Sequence, residues 1–148
     1  MAALIPNIAK GKFARYAELP ETGDNLKWII LQSASLEADA TLRDYDSVSA
    51  ILGGTSSEAT FTGYSRQVAT GVTVTVDDTN DRVDIAIDNP SWSPTSAQAQ
   101  GKIILAYDPT GSSADTDLVP LFMDDFSVTT ATSGTLEYDT AAVVARAS

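Results

Sequence analysis

The chain has 148 residues, 43% of them hydrophobic and 20% charged, with a formal net charge of −11 and neither histidine nor cysteine. That composition describes one folded domain with a real core, not a disordered chain. The missing side chains exclude Ser-His-Asp and Cys-His nucleophile pairs, disulfides and the commonest zinc ligands, and the strong negative charge argues against nucleic acid as a partner of the body.

Charge is unevenly placed. The first acidic residue is Glu18, so residues 1–17 carry +3 and residues 18–148 carry −14. The leader's cations are Lys10, Lys12 and Arg15, spaced among the apolar residues Leu4, Ile5, Ile8, Phe13 and Tyr16. These eight residues are the candidate partner-binding set of an extended N-terminal arm covering residues 1–24. The other reading is that the leader folds back as the first element of its own domain. Pro6, Gly11 and Pro20 leave little room for a long helix in either case. The start has no charged region before a long apolar stretch, so no cleavable signal peptide is expected. No apolar run approaches the roughly 20 residues of a membrane span, and no membrane partner is expected.

Residues 25–148 read as a single β domain. Asn25–Gln32 is an apolar run of strand length, with Trp28, Ile29, Ile30 and Leu31 buried on one or both faces. One helix is expected over Ala40–Leu52, with Leu42, Tyr45, Val48 or Ser49, and Leu52 on its stripe and Ile51 beside it. Asp39 or Thr41 would cap it, and Gly53-Gly54 would end it at positive φ. Next comes a β-hairpin. Val72, Val74 and Val76, then Val83, Ile85 and Ile87, alternate with polar residues on either side of an Asp-Asp-Thr-Asn-Asp link, which predicts one wet face. Further strands are expected at 102–107, 117–122, 126–130, 135–138 and 141–146. Pro120 belongs on an edge or at a bulge, because it has no N–H to give. The segments 33–40 and 88–101 read as surface loops.

Three constellations invite a functional reading. The acidic turn Asp77–Asp81 suggests calcium, but counted from Asp77 an EF-hand would need Gly where Arg82 stands and Glu where Asp88 stands. Residues 108–117 form a turn with two carboxylates on its far side. The pattern of a phosphate loop is absent, so a solvated hairpin tip is expected. Trp92, between Pro90 and Pro94, is either an exposed platform for a sugar or partner, or a plug closing one end of the core. Carboxylate-pair catalysis remains formally open, but it needs two carboxyls held in a cleft with one pKa raised. The acids here cluster in turn sequences. No catalytic residue, metal site or cofactor is therefore assigned.

The leader Leu4–Gly11, the link Thr60–Arg66, the hairpin and Trp-bearing loop Val72–Trp92, and the segment Tyr107–Leu121 together resemble the small virion structural proteins of tailed bacteriophages, particularly those of actinobacterial hosts. The resemblance implies a non-enzymatic, capsid-decoration-like protein on the exterior of the virion. Its implied partners are the major capsid protein or another virion protein, and further copies of itself. It carries over no family site residues, since such proteins act through surfaces. The competing reading is a carbohydrate- or receptor-binding β domain of a head or tail fibre, using Trp92. The expected fold is mainly β, an antiparallel β-sandwich or partly closed barrel with one short helix and an extended N-terminal arm.

Overall fold

The computed structural model describes residues 4–140 and the backbone of 145–147. Its centre is an open antiparallel sheet built on β1 (Asn25–Gln32) and β6 (Ala99–Asp108), which pair along their length, with Trp28 opposite Leu105 and Ile30 opposite Ile103. Leu26, Trp28 and Ile30 of β1 join Ile103, Leu105 and Tyr107 of β6 in one core cluster. The intervening Ile29, Leu31, Ile104 and Ala106 join a second cluster on the opposite face. Strand side chains alternate between faces, so a strand buried on both sides must be apolar at nearly every position. That is why WIIL and IILAY are continuous apolar runs. Each fully buried Ile or Leu contributes about 1.5–3 kcal/mol by leaving water.

The sheet is completed by β2 (Gln67–Val68) beside β1 and β7 (Val119–Thr129) beside β6. β7 is one long strand where the sequence suggests two short ones. A register shift lets Leu105 face Phe122 while Ala106 faces Pro120, so the extra residue is absorbed at a bulge. Pro120 thus lies on an edge strand beside a bulge, as its missing N–H requires.

A three-stranded sheet, β3 (Thr73–Asp77), β4 (Arg82–Ala86) and β9 (Ala145–Ala147), and a two-stranded one, β5 (Ser91–Trp92) with β8 (Leu136–Glu137), contribute to the first cluster through Ile85, Ile87, Trp92, Leu136 and Tyr138. The fold is therefore mainly β with antiparallel sheets, and the central sheet is open, with β2 and β7 at its edges. The strand expected over 141–146 lies outside the described residues for its first four positions. Its end falls in β9.

The hairpin has the expected strands, but only part of the expected inward face. Val74 is half-buried opposite the buried Ile85, whereas Val76, opposite Val83, is 66% exposed. Core covers one rung and stops short of the next.

The single helix expected over Ala40–Leu52 is instead two short ones, α2 (Asp39–Leu42) and α3 (Val48–Gly53). The residues between them find tertiary partners that a continuous helix would forbid. Arg43 O accepts from Asn7 N at 2.9 Å, Asp44 Oδ1 from Asn7 Nδ2 at 2.7 Å, and the Tyr45 hydroxyl donates to Glu37 at 2.9 Å. Ser47 then caps α3, accepting from Ala50 N. Neither expected cap, Asp39 nor Thr41, serves as one, and Gly54 ends α3 at φ −79° instead of in the left-handed region. Leu42, Val48 and Ile51 still point into the second cluster, so the apolar stripe is right although the helix is broken.

The extended arm is also corrected. Leu4 N donates to Met123 O at 2.7 Å and Met123 N to Leu4 O at 2.8 Å, so the leader adds a single rung to the free edge of β7. A 3-10 turn (Asn7–Ala9) and a short helix α1 (Phe13–Ala17) then carry Ala9, Phe13 and Ala17 into the first cluster. Leu4, Phe13 and Ala17 are at most 8% exposed. The apolar spacing that suggests an arm for a neighbour's pockets fills pockets of its own body.

Candidate docking surface

Folding the leader onto the body sorts its residues by chemistry. Leu4 and Phe13 are buried, and Ile5, Ile8 and Tyr16 are half-buried. The Tyr16 ring lies 4.6 Å from that of Tyr107, tilted by 32°, which fixes α1 over β6. Lys10, Lys12 and Arg15 all stay exposed. Of the eight residues singled out in sequence, Leu4, Ile5, Phe13 and Tyr16 pack into or against the core, Ile8 is half-buried, and the three cations are exposed.

The cations of the body behave differently. Lys27 Nζ sits 2.5 Å from Asp108, whose side chain is fully buried. Asp108 also accepts from Thr110 N and Ser113 N, at 3.2 and 3.1 Å. Burial alone would raise this carboxyl; the bond to Lys27 and the two N–H donors overcome that and hold it well below the usual range. The segment 108–117 is therefore organised around a buried carboxylate at its start, not a solvated tip throughout.

Arg66 is gripped from two sides. It makes a two-pronged contact with Glu58, at 2.8 and 2.6 Å, and a second contact with Asp115 at 2.5 Å. Tyr64 donates to the same Glu58 at 2.7 Å and accepts from Ile30 N, tying the network to β1. These bonds hold the Asp115 carboxyl below its ordinary value, and burial beside Glu58 pushes the Tyr64 hydroxyl far up. Lys102, 2% exposed, reaches Asp125 at 2.6 Å and Asp39 at 2.9 Å. Burial pulls its pKa down, but the two carboxylates more than offset that, so it stays raised and charged. Arg82 lies between Asp77 and Asp84, at 3.1 and 3.2 Å.

Lys27 and Lys102, and Arg66 on its Asp115 side, find partners in distant segments, where the one usable sequence signal is a lysine, Lys102, in an otherwise apolar strand; Arg82 pairs within its own hairpin. Such pairs fix geometry more reliably than they add stability.

What remains is a segregated surface. Among the described residues, the Lys and Arg side chains with no carboxylate partner are Lys10, Lys12, Arg15 and Arg43. Lys10 donates only to Asn7 Oδ1 at 2.8 Å. Arg43 belongs to the same region, because its carbonyl receives the Asn7 N–H. A chain of net charge −11 thus turns its unpaired positive charge outward at the leader.

The other constellations resolve as structure. Trp92 is 3% exposed, donates from Nε1 to Ser65 O at 2.8 Å and stacks on Tyr64, so it is a plug and not a platform. Asp77 accepts from Thr79 N, Asn80 N and Asn80 Nδ2, and these bonds, led by that of the Asn80 side chain, hold its carboxyl below the ordinary value. Among the described residues no three Asp or Glu side chains gather as a metal site. No helix among them is long and apolar enough to cross a membrane. No family model matches the chain, and neither a curated protein nor a solved structure does.

Proposed function

We propose that the chain is a non-enzymatic structural protein of a tailed-bacteriophage virion, docked on the exterior of the capsid shell through its leader face and β domain. One observation carries this reading. The cations that its own carboxylates leave unpaired are gathered, exposed, on the leader and Arg43, while the anchoring side chains beneath hold that face rigid. A fixed, charged, solvent-facing patch suits docking on a protein surface of opposite sign. The sequence supports the absence of catalysis, since no histidine or cysteine is present to titrate near neutral pH. The carboxyls with clearly moved pKa values, Asp77, Asp108 and Asp115, move down, away from acid–base use. The resemblance noted in four segments of the sequence supplies the biological setting. A fibre domain recognising sugar through Trp92 loses its basis, because that ring is covered.

Gold labelling of an epitope-tagged copy on intact particles tests the proposal. Label distributed over the shell supports it. Label confined to the tail, or particles without label, refutes it.

A further inference from the structure

The β3–β4 hairpin outruns the core beneath it. Residues two apart on a strand share a face, so Val76 and Val83 continue the face that Val74 and Ile85 turn toward the core. Ile85 is 2% exposed, yet Val76 one rung nearer the turn is 66% exposed. The inward face therefore ends in an uncovered apolar step. β3 is also an edge strand, and it carries neither the Lys nor the Pro that commonly guards an edge. Beside the step, the exposed turn bears Asp78 and Asp81, and among the described residues neither is engaged by a cation. Asp77 and Asp84 differ, because both hold Arg82.

The surface that complements this tip is on the chain itself. Lys12 and Arg15, at the start of α1 and within it, are exposed and have no carboxylate partner among the described residues. In the single chain the two acids of the tip and the two cations of α1 do not pair with each other. We propose that the hairpin tip of one copy docks on the leader of a second copy, with Asp78 and Asp81 facing Lys12 and Arg15 and with Val76 and Val83 covered between them. Each copy offers one tip and one leader, so two copies either pair reciprocally about a twofold axis or repeat the contact head to tail as a ring or an array. A tip this small buries less than a standard interface, so the single contact is weak and gains by repetition. The inference needs only the chain itself and stands apart from the virion reading, for which Lys10 and Arg43 remain free.

Sedimentation velocity of the purified full chain, in a concentration series at low and at high sodium chloride, tests it. One variant combines Lys12→Glu with Arg15→Glu; the other combines Asp78→Lys with Asp81→Lys. All four positions are exposed, so both variants should keep the wild-type far-UV spectrum, with at most a small fall in melting temperature where Lys replaces Asp81 at φ 50°. Wild type should associate at low salt and dissociate as salt screens the contact. Each variant alone should associate at least about tenfold more weakly. An equimolar mixture of the two should recover association, because each tip then meets a leader of opposite sign. Wild type that stays monomeric at low salt overturns the proposal. So do variants that associate like wild type, or a mixture no better than its components. None of these outcomes bears on where labelled protein sits on a particle.

Discussion

Replacing Phe13 by alanine separates a leader that belongs to the core from one that merely lies on it. Phe13 is 8% exposed and packs within the cluster that holds Ile85, Tyr107 and Trp28. Truncating a buried phenylalanine removes its transfer free energy and leaves a cavity, about 3–5 kcal/mol in all. The lower end, about 3 kcal/mol, is appropriate here, because a one-turn surface helix can settle inward and close part of the void. For a chain of 148 residues that is a fall of about 6–12 °C in melting temperature. The control is Lys12→Ala with Arg15→Ala. It touches the same element but only its exposed side, and should cost no more than about 0.5 kcal/mol per substitution. Thermal unfolding followed by near-ultraviolet circular dichroism reads both. Deleting residues 2–17 removes Leu4, Ala9, Phe13 and Ala17 together and uncovers the edge of β7, so it should leave a chain that no longer melts cooperatively. A Phe13→Ala protein that melts within about 2 °C of wild type would refute the reasoning, since a shift so small is under about 1 kcal/mol.

Ile85→Asp should destabilise by several kcal/mol, because it drives an unpaired carboxylate into a site 2% exposed, whereas Thr75→Asp and Val76→Asp should each shift the urea midpoint only slightly. Arg66→Ala leaves Glu58 and Asp115 facing each other and removes an anchor of the loop to β1; a loss of about 1–2 kcal/mol is expected, discounted for a side chain 25% exposed, and Glu58→Gln in the same background should recover part of it. Asp108 has a carboxyl depressed in the folded state, so its contribution is present above the unfolded pKa near 3.8 and is lost as pH falls further; Asp108→Asn should be less stable than wild type at neutral pH and show a shallower loss below about pH 4. Calcium should raise the melting temperature no more than magnesium does at matched ionic strength, because Asp77 already bonds its own turn and Arg82; a calcium-selective rise abolished by Asp78→Asn would contradict this.

The parts of the fold that the sequence announces are those whose pattern is local. A run such as WIIL or IILAY states its double burial in its own composition, and the strand at Asn25–Gln32 and the 102–107 part of β6 follow from it. Segment 88–101, read as a surface loop, instead contains β5 and the start of β6, because their ladder partners lie far along the chain. The hairpin register follows from alternation with equal force. How far that alternation is buried depends on the size of the core underneath, which no window of sequence contains, and so Val76 is misjudged. The break between α2 and α3 is hidden for the same reason: the groups that compete for the backbone of Arg43 and the side chain of Asp44 belong to Asn7, far away in the chain. Lys102 and Asp108 look like surface residues by type, and only the fold brings their partners to them.

The leader shows why charge and apolarity must be read separately. Cationic and apolar residues interleaved over a short segment suggest one purpose, gripping a partner. A one-turn helix splits such a segment by face. Phe13 and Ala17, four apart, turn inward, while Lys12 and Arg15, three apart on the other side, turn out. Apolar content is thus satisfied within the chain, and charge is what remains to be met by something else. Elsewhere in the described body Lys27, Arg66, Arg82 and Lys102 are each neutralised by carboxylates of the same chain, so among the described residues the unpaired positive charge is on the leader and on Arg43, whose carbonyl receives the Asn7 N–H. In the isolated fold these cations only temper the self-repulsion of an acidic chain, because among the described residues they contact no carboxylate. Such an arrangement is favourable when an acidic surface lies opposite, and the proposed contact supplies one through the exposed Asp78 and Asp81 of a second copy.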